Sequence, residues 1–319
     1  MIVFDLIRHI REMTAVADPA GAGVALGIGD DAAVLRVPAG HDLVAATDTL
    51  NSGTHVPTDT APGDIAYKCL AVNLSDLASM GAIPRWALLS LSLPEAVPDW
   101  VHSFASGFND LAQAHGVALV GGDTTAGPLS VCLTALGVVE RGRQIQRDGA
   151  TAGELLVVSG SIGGAARVLD LVSAGQTAFD RTLLDRPQPR VALGQALAGF
   201  ASACIDISDG LLADLTHVLK ASGCGANVQL ENLPGDDVLA RLSERKRWGY
   251  QLSGGDDYEL LFTLPRRNEP LLASWRQELG VRLTVIGETT AGERVRCIAP
   301  DGRLFEPADS GFEHFGQQA

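Results

Sequence analysis

Four apolar runs in this chain end on aspartate: GIGDD at 27–31, AATDT at 45–49, VGGDTT at 120–125 and IDISDG at 205–210. A fifth acid, Asp76, stands in the mainly apolar stretch IAYKCLAVNLSDLASMG at 65–81. Taken singly, each aspartate reads as a turn or helix-cap residue, and Asp209 before GLLADL suits an N-cap. Their repetition points elsewhere. If the strand ends converge, several carboxylates lie close together, and like charges disfavour ionisation unless cations compensate. Oxygen ligands without CxxC or paired histidines select a hard ion, Mg2+ over Zn2+. Enzymes use Mg2+ above all to bridge substrate phosphates, often from one or two carboxylates, so the pattern points to phosphoryl transfer.

Such a site would have few side-chain cations to draw on. The Walker signature GxxxxGK[ST] is absent and the only lysines are Lys68, Lys220 and Lys246, which leaves metals, arginines and backbone N–H groups to hold phosphate. Gly121 and Gly122 before Asp123 suit a close approach of backbone to phosphate, or equally a strand-to-loop turn. Gly160, Gly163 and Gly164 in SGSIGGAA do not complete GxGxxG and read first as strand–helix packing. Arg147 in IQRDG and His55 in SGTHV each read as surface residues when taken alone. Phe312 and Phe315 in GFEHF read as packing residues, with stacking on a flat ligand as the alternative.

The elements that must position these residues follow from periodicity. A helix is expected over 3–14, strands over 24–28 and 42–47, and a helix over 65–81 with Leu70, Leu74 and Leu77 on one stripe and Asn73 and Asp76 on another face. Strands at 86–93, 117–122 and 129–139 flank a helix at 100–116. The polar stretch 140–154 reads as a junction, giving domains 1–140 and 141–319. The second half continues as strand, SIGG turn and helix; then CIDISDGLLADLTHVLKAS as strand, turn and helix; then QLSGGDDYELLFTL as a glycine turn into a strand. A helix near 270–279 and strands at 281–286 and 294–299 complete an α+β order.

Composition agrees with a folded two-domain chain: 319 residues, 46% hydrophobic, with 36 glycines for tight turns. A formal charge of −14 argues against sequence-independent nucleic-acid binding, which needs a basic surface, so a polyanionic partner would need a bridging cation. Asp5 and Arg8 interrupt any signal-peptide core, and the uncharged run 191–205 is too short for a membrane span. The expectation is a soluble, cytoplasmic protein with no nucleic-acid or membrane partner. Five scattered cysteines read as reduced core residues.

Taken together, GIGDDAAVL, TDTLNSGTHV, AYKCLAVNLSDLASMGA, GGDTTAGPLS, DISDGLLADL, SGGDDYELLF and GFEHF resemble the thiamine-monophosphate kinase family, in order and across nearly the whole chain. That family lies in the aminoimidazole ribonucleotide synthetase-like superfamily. The resemblance implies an N-terminal domain whose sheet pairs in a homodimer and a C-terminal α/β domain that completes the active site. It also implies in-line transfer of the γ-phosphoryl of ATP to thiamine monophosphate, with several Mg2+ ions and no covalent enzyme intermediate. Asp31, Thr47, Asp48, Asp76, Asp123, Asp206 and Asp209 fall on metal positions. Of these, Asp48, Asp76 and Asp123 would neutralise and align the reactants. Gly122, Asp123, Arg147 and Ser208 fall on nucleotide positions, and His55, Asp256 and Phe312 on substrate positions.

Three positions depart from the family's pattern. Ala46 stands where a hydroxyl residue is common, so a metal held there keeps a backbone carbonyl but no side-chain ligand. Asp256 replaces a common glutamate and is one methylene shorter, which would make a direct substrate contact water-mediated. Phe312 can stack but offers no hydroxyl. Selenophosphate synthetase is disfavoured because the first cysteine is Cys69, and the hydrogenase-maturation relative because the chain ends in GQQA rather than cysteine. Aminoimidazole ribonucleotide synthetase stays open on fold alone. So does a non-catalytic metal- or nucleotide-binding protein, with Ala46 and Asp256 in its favour.

Overall fold

The computed structural model describes residues 8, 10–14, 18–307 and 311, which fall into two units, 1–77 with 82–142 and 78–81 with 143–319. The expected helix at 3–14 lies largely outside the described residues, although 10–13 are helical.

In the first unit a short antiparallel pair, β1 (Val24–Leu26) and β2 (Val34–Leu35), precedes β3 (His41–Asn51), α1 (Pro62–Ser79), β4 (Ile83–Leu93), α2 (Pro98–His115), β5 (Ala118–Ala126) and β6 (Ser130–Glu140). The last four strands make one sheet, in order β3-β6-β4-β5, with only the β4/β5 pair parallel. The stripe predicted for α1 is its core face: Leu70, Leu74 and Leu77 are wholly buried. In α2, Val101, Phe104, Phe108 and Leu111 recur at helical spacing and are buried, each contributing about 1.5–3 kcal/mol. That helix stops at Gly116, whose left-handed backbone accommodates the C-cap.

β5 corrects one expectation. It does not turn at its glycines but runs on through Asp123, because Leu88, Leu89 and Ser90 of β4 pair with Gly121, Gly122 and Asp123. Gly122 is required there: its φ is +151°, and a Cβ would sit 1.8 Å from the carbonyl oxygen of Leu89.

No helix or strand interrupts the stretch between Glu140 and Leu155. The second unit then builds a seven-stranded sheet from β7 (Leu155–Ser159), β8 (Ala203–Asp206), β9 (Gly225–Gln229), β10 (Leu260–Leu264), β11 (Leu283–Thr290), β12 (Val295–Ile298) and β13 (Leu304–Phe305). Its order is β13-β12-β9-β11-β7-β10-β8. Among the described residues six α-helices accompany it: α3 (Gly164–Ser173), α4 (Thr182–Asp185), α5 (Val191–Leu197), α6 (Leu211–Ser222), α7 (Glu244–Ser253) and α8 (Leu271–Leu279). β7, with all five residues buried, is a central strand and reads as a continuous apolar run. Leu156, Val158, Ile205, Leu211, Leu215 and Leu261 form part of one core against this sheet.

Among the described residues no helix is long and apolar enough to cross a membrane. All five cysteines are free; Cys69, Cys204, Cys224 and Cys297 are buried, while Cys132 is half-buried.

Candidate functional site

The first unit brings Asp48, Asp76 and His55 together. Asp48 is half-buried on β3. Burial raises its carboxyl above the ordinary value, while a side-chain hydrogen bond with Asp76 of α1 and the nearby His55 pull it back down. Two carboxyl groups in hydrogen-bond contact need a proton or a cation between them. His55 Nδ1 accepts the backbone N–H of Asn51 at 3.0 Å, so the neutral ring carries its proton on Nε2. Thr47, next to Asp48, donates its hydroxyl to the carbonyl oxygen of Leu133 at 3.0 Å and lies 3.0 Å from the Thr134 hydroxyl. Ala46 precedes it, half-buried.

The strand register separates the other acids of this unit. Asp48 pairs with Leu133, Leu133 with Leu89, and Leu89 with Gly122. Gly122 and Asp123 therefore sit on the opposite edge strand, three strand spacings or roughly 14 Å away. Asp123 is exposed and accepts the N–H of Thr124 at 2.8 Å. Asp31 is exposed in the turn between β1 and β2, and Asp30 accepts its N–H at 2.9 Å, which gives Asp30 a turn-stabilising role. A cavity of about 460 Å3 opens beside this turn, lined by Gly27, Gly29, Asp30, Arg11 and Val120.

The second unit ties two motifs into one site. DISDG leaves β8 and SGGDDYE enters β10, and backbone bonds zip them together. Tyr258 N–H donates to Ile207, Ile207 N–H to Glu259 and Asp256 N–H to Ser208, each at 2.8 Å. Asp256 and Tyr258 adopt left-handed backbone, φ +70° and +51°, a conformation uncommon outside glycine and typical of functional loops. The Tyr258 hydroxyl donates to Asp256 Oδ1 at 3.2 Å. Beneath them Glu259, 6% exposed, accepts both Arg190 Nε at 2.7 Å and Arg190 Nη2, together with the Ser159 hydroxyl at 2.5 Å.

Within DISDG, Asp206 ends β8 and is buried, whereas Ser208 and Asp209 are half-buried. Asp209 is not the N-cap expected from the sequence. Gly210 holds that position, with no side-chain cap bond, and its φ of +124° brings it so near Ser253 that a Cβ would lie 2.9 Å from backbone. The loop before the helix is instead held from inside it. Asp214 Oδ2 accepts the N–H groups of Ser208, Asp209 and Gly210 at 3.1, 3.1 and 3.2 Å. Burial, with Asp206 and Asp209 adding their charge, pushes the Asp214 carboxyl up to about 7. Arg147 is exposed, and its charge tempers the rise that burial and Asp206 impose on the Cys204 thiol, which sets it near β8.

The glycines of SGSIGG serve packing. Asp257 accepts the N–H groups of Gly163 at 2.6 Å and Ala165 at 3.4 Å, so a carboxyl group of this chain already occupies the start of α3. Sequence reasoning missed Asp214, Asp257, Glu259 and Arg190. The one available signal was Asp214, an acid in the first turn of an amphipathic helix. Phe312 lies outside the described residues.

The oxygen-rich acids fit Mg2+ as pairs. Among the described residues no three His, Cys, Asp or Glu side chains form a group that could hold a metal ion. Asp48 is nevertheless in hydrogen-bond contact with Asp76, and Asp206 and Asp209 are both close enough for their charges to reach Asp214. One or two carboxylates with the remaining positions left to phosphate and water is how Mg2+ is bound with nucleotides.

Two family models match: AIR synthase related protein, N-terminal domain, over residues 29–139, and AIR synthase related protein, C-terminal domain, over 151–299. The chain is 44% identical to the thiamine-monophosphate kinase of Escherichia coli K12 over 92% of both chains. It is 39% identical to that of Haemophilus influenzae over 98% of this chain and 97% of the other. Among solved structures, thiamine-monophosphate kinase from Stenotrophomonas maltophilia superposes with a TM-score of 0.86 at 45% identity, covering 96% and 98%. AaThiL complexed with AMPPCP and TMP gives 0.75 at 30%, covering 98% and 97%. The hydrogenase maturation protein HypE, at 19% identity and a TM-score of 0.77, shares the fold. The chain belongs to the thiamine-monophosphate kinase family of AIR synthase related proteins.

Proposed function

We propose that this protein transfers the γ-phosphoryl group of ATP to thiamine monophosphate, yielding thiamine diphosphate and ADP. The observation that carries this is near full-length similarity to thiamine-monophosphate kinases, one of them complexed with AMPPCP and TMP. The DISDG and SGGDDYE loops, zipped backbone to backbone, support it.

The terminal phosphate oxygen of thiamine monophosphate is already an anion, so its attack in line on the γ-phosphorus needs no strong general base. Repulsion between two anions is the barrier. Mg2+, when bound, supplies the neutralising charge. Asp31, Thr47, Asp48, Asp76, Asp123, Asp206 and Asp209, with the carbonyl of Ala46, are the groups that would hold it. Gly122, Asp123, Arg147 and Ser208 bind and orient the nucleotide. His55, Asp256, held by Tyr258, and Phe312 form the thiamine monophosphate subsite. Orientation converts binding energy into rate.

The same reading extends to the assembly. The protein is a cytoplasmic homodimer formed through the N-terminal domain, 1–140. Exposed Leu43, Ile83 and Leu88 lie on one face of the four-stranded sheet by register, which supports pairing there.

Incubation of the purified chain with ATP, Mg2+ and thiamine monophosphate, followed by chromatographic detection of thiamine diphosphate, tests the activity. No product at any Mg2+ concentration would overturn it in favour of a binding protein.

A further inference from the structure

We propose that Asp214 is a positioning residue for the metal-binding loop: it takes the backbone donors of residues 208–210 and so fixes the loop that carries Asp206 and Asp209. This rests on the assignment of Asp206 and Asp209 as metal ligands above.

Consecutive backbone N–H groups in a loop that leads into a helix can attract phosphate while they stay unpaired. Here one oxygen of a buried side chain, 2% exposed, takes three consecutive N–H groups at 3.1–3.2 Å. Asp214 reaches them because helical side chains lean toward the N-terminus, and its own N–H closes the first turn on Gly210 at 3.0 Å. The consequence is electrostatic. The loop keeps the acids Asp206 and Asp209, and the N–H groups of 208–210 are no longer available to draw a phosphate directly to its backbone. A phosphate at this loop is then held through the Ser208 hydroxyl or through cations on Asp206 and Asp209. The clamp also fixes the backbone of Ser208 and Asp209, whose other anchor is the bond from Asp256 N–H to the Ser208 carbonyl.

Two measurements on the full-length protein test this, one of them without metal. Hydrogen exchange read by peptide mass spectrometry over 206–211 compares wild type with Asp214→Asn and Asp214→Ala. The alanine variant should exchange at 208–210 about tenfold faster or more, since each lost bond is worth about 1 kcal/mol. The asparagine variant should fall between, because its amide oxygen still accepts but without charge. The second measurement is Mn2+ binding in the presence of AMPPCP, followed by electron paramagnetic resonance. Affinity should weaken about tenfold in Asp214→Ala and less in Asp214→Asn, with Asp209→Asn as the direct-ligand comparison.

A folded Asp214→Ala with wild-type exchange at 208–210, or with wild-type Mn2+ affinity, overturns the proposal. If alanine does not fold, unchanged exchange and unchanged Mn2+ affinity in Asp214→Asn overturn it equally. A wild type that binds no Mn2+ also overturns it. A wild type that binds Mn2+ yet makes no thiamine diphosphate refutes the kinase reading and leaves this one standing.

Discussion

Replacing Arg190 by methionine tests whether the candidate site of the second unit rests on a buried ion pair. The Glu259 carboxylate has three donors, two from the Arg190 guanidinium and one from Ser159. The side chains are 8% exposed at Glu259 and 23% at Arg190. Arg190→Met therefore removes two charge-assisted bonds and the countercharge while leaving a carboxylate that water barely reaches. Breaking a buried pair from one side costs about 3–5 kcal/mol, and Arg190's residual exposure argues for the lower end, about 3 kcal/mol. For a unit of this size 1 kcal/mol moves the melting temperature by about 2–4 °C, so a drop of roughly 6–12 °C is expected by calorimetry. Glu259→Gln should cost less, because the amide still accepts from Ser159. The double variant should be less destabilised than the sum of the singles by about 2 kcal/mol, since the stranded charge is gone. The backbone carbonyl of Glu259 accepts the N–H of Ile207, so the loss should also appear as a raised KM for thiamine monophosphate. An Arg190→Met melting temperature within about 2 °C of wild type, or strict additivity in the double variant, would refute the reasoning.

Two further outcomes follow from the acids. Asp48→Asn or Asp123→Asn should lower turnover by orders of magnitude with little loss of fold, since a charged ligand goes while the shape stays; Asp30→Asn, which keeps the acceptor for Asp31 N–H, should stay near wild type. Near-wild-type turnover of the first two at saturating Mg2+ would rule out their metal role. Burial raises the Asp257 carboxyl well above its ordinary value, against the pull of its bonds from Gly163 and Ala165. The folded state then holds a proton that the unfolded state has lost, so stability declines as pH rises from about 4 toward the raised folded value. Urea titrations between pH 4 and 8 should show a shallower decline in Asp257→Asn, and identical slopes would dismiss the effect.

The sequence revealed elements better than contacts. The stripe Leu70, Leu74, Leu77 and the glycine that ends α2 are local signals, so the helices of the first unit could be read directly. Gly121 and Gly122 misled because glycine marks a turn and a close backbone approach alike. Only the β4/β5 register decides between the two, and register is a long-range fact. Asp209 misled for a related reason. An aspartate before an apolar helix is a sound N-cap signal, yet the N-cap here is Gly210, and the oxygen that holds the preceding loop comes from Asp214, which a propensity argument has no reason to turn backwards.

The same limit explains why the residues found only in the structure are all partners rather than ligands. Metal and phosphate chemistry leaves its mark on residue type, because only carboxylates, hydroxyls and glycines at strand ends can do it. The residues that aim those groups need only an acceptor or a donor at the right distance. Glu259 waits for Arg190 sixty-nine positions away and Asp257 for Gly163 ninety-four away, so nothing in either neighbourhood betrays the role. Asp214 is the exception, since its partners lie four to six residues back. An acid at the fourth position of a helix that begins after S-D-G is a pattern with a mechanism: glycine permits the bend, and the acid takes up the donors the bend exposes. Where that pattern occurs, the loop before the helix should be read as fixed by the acid, with the N–H groups it takes no longer open to direct anion binding.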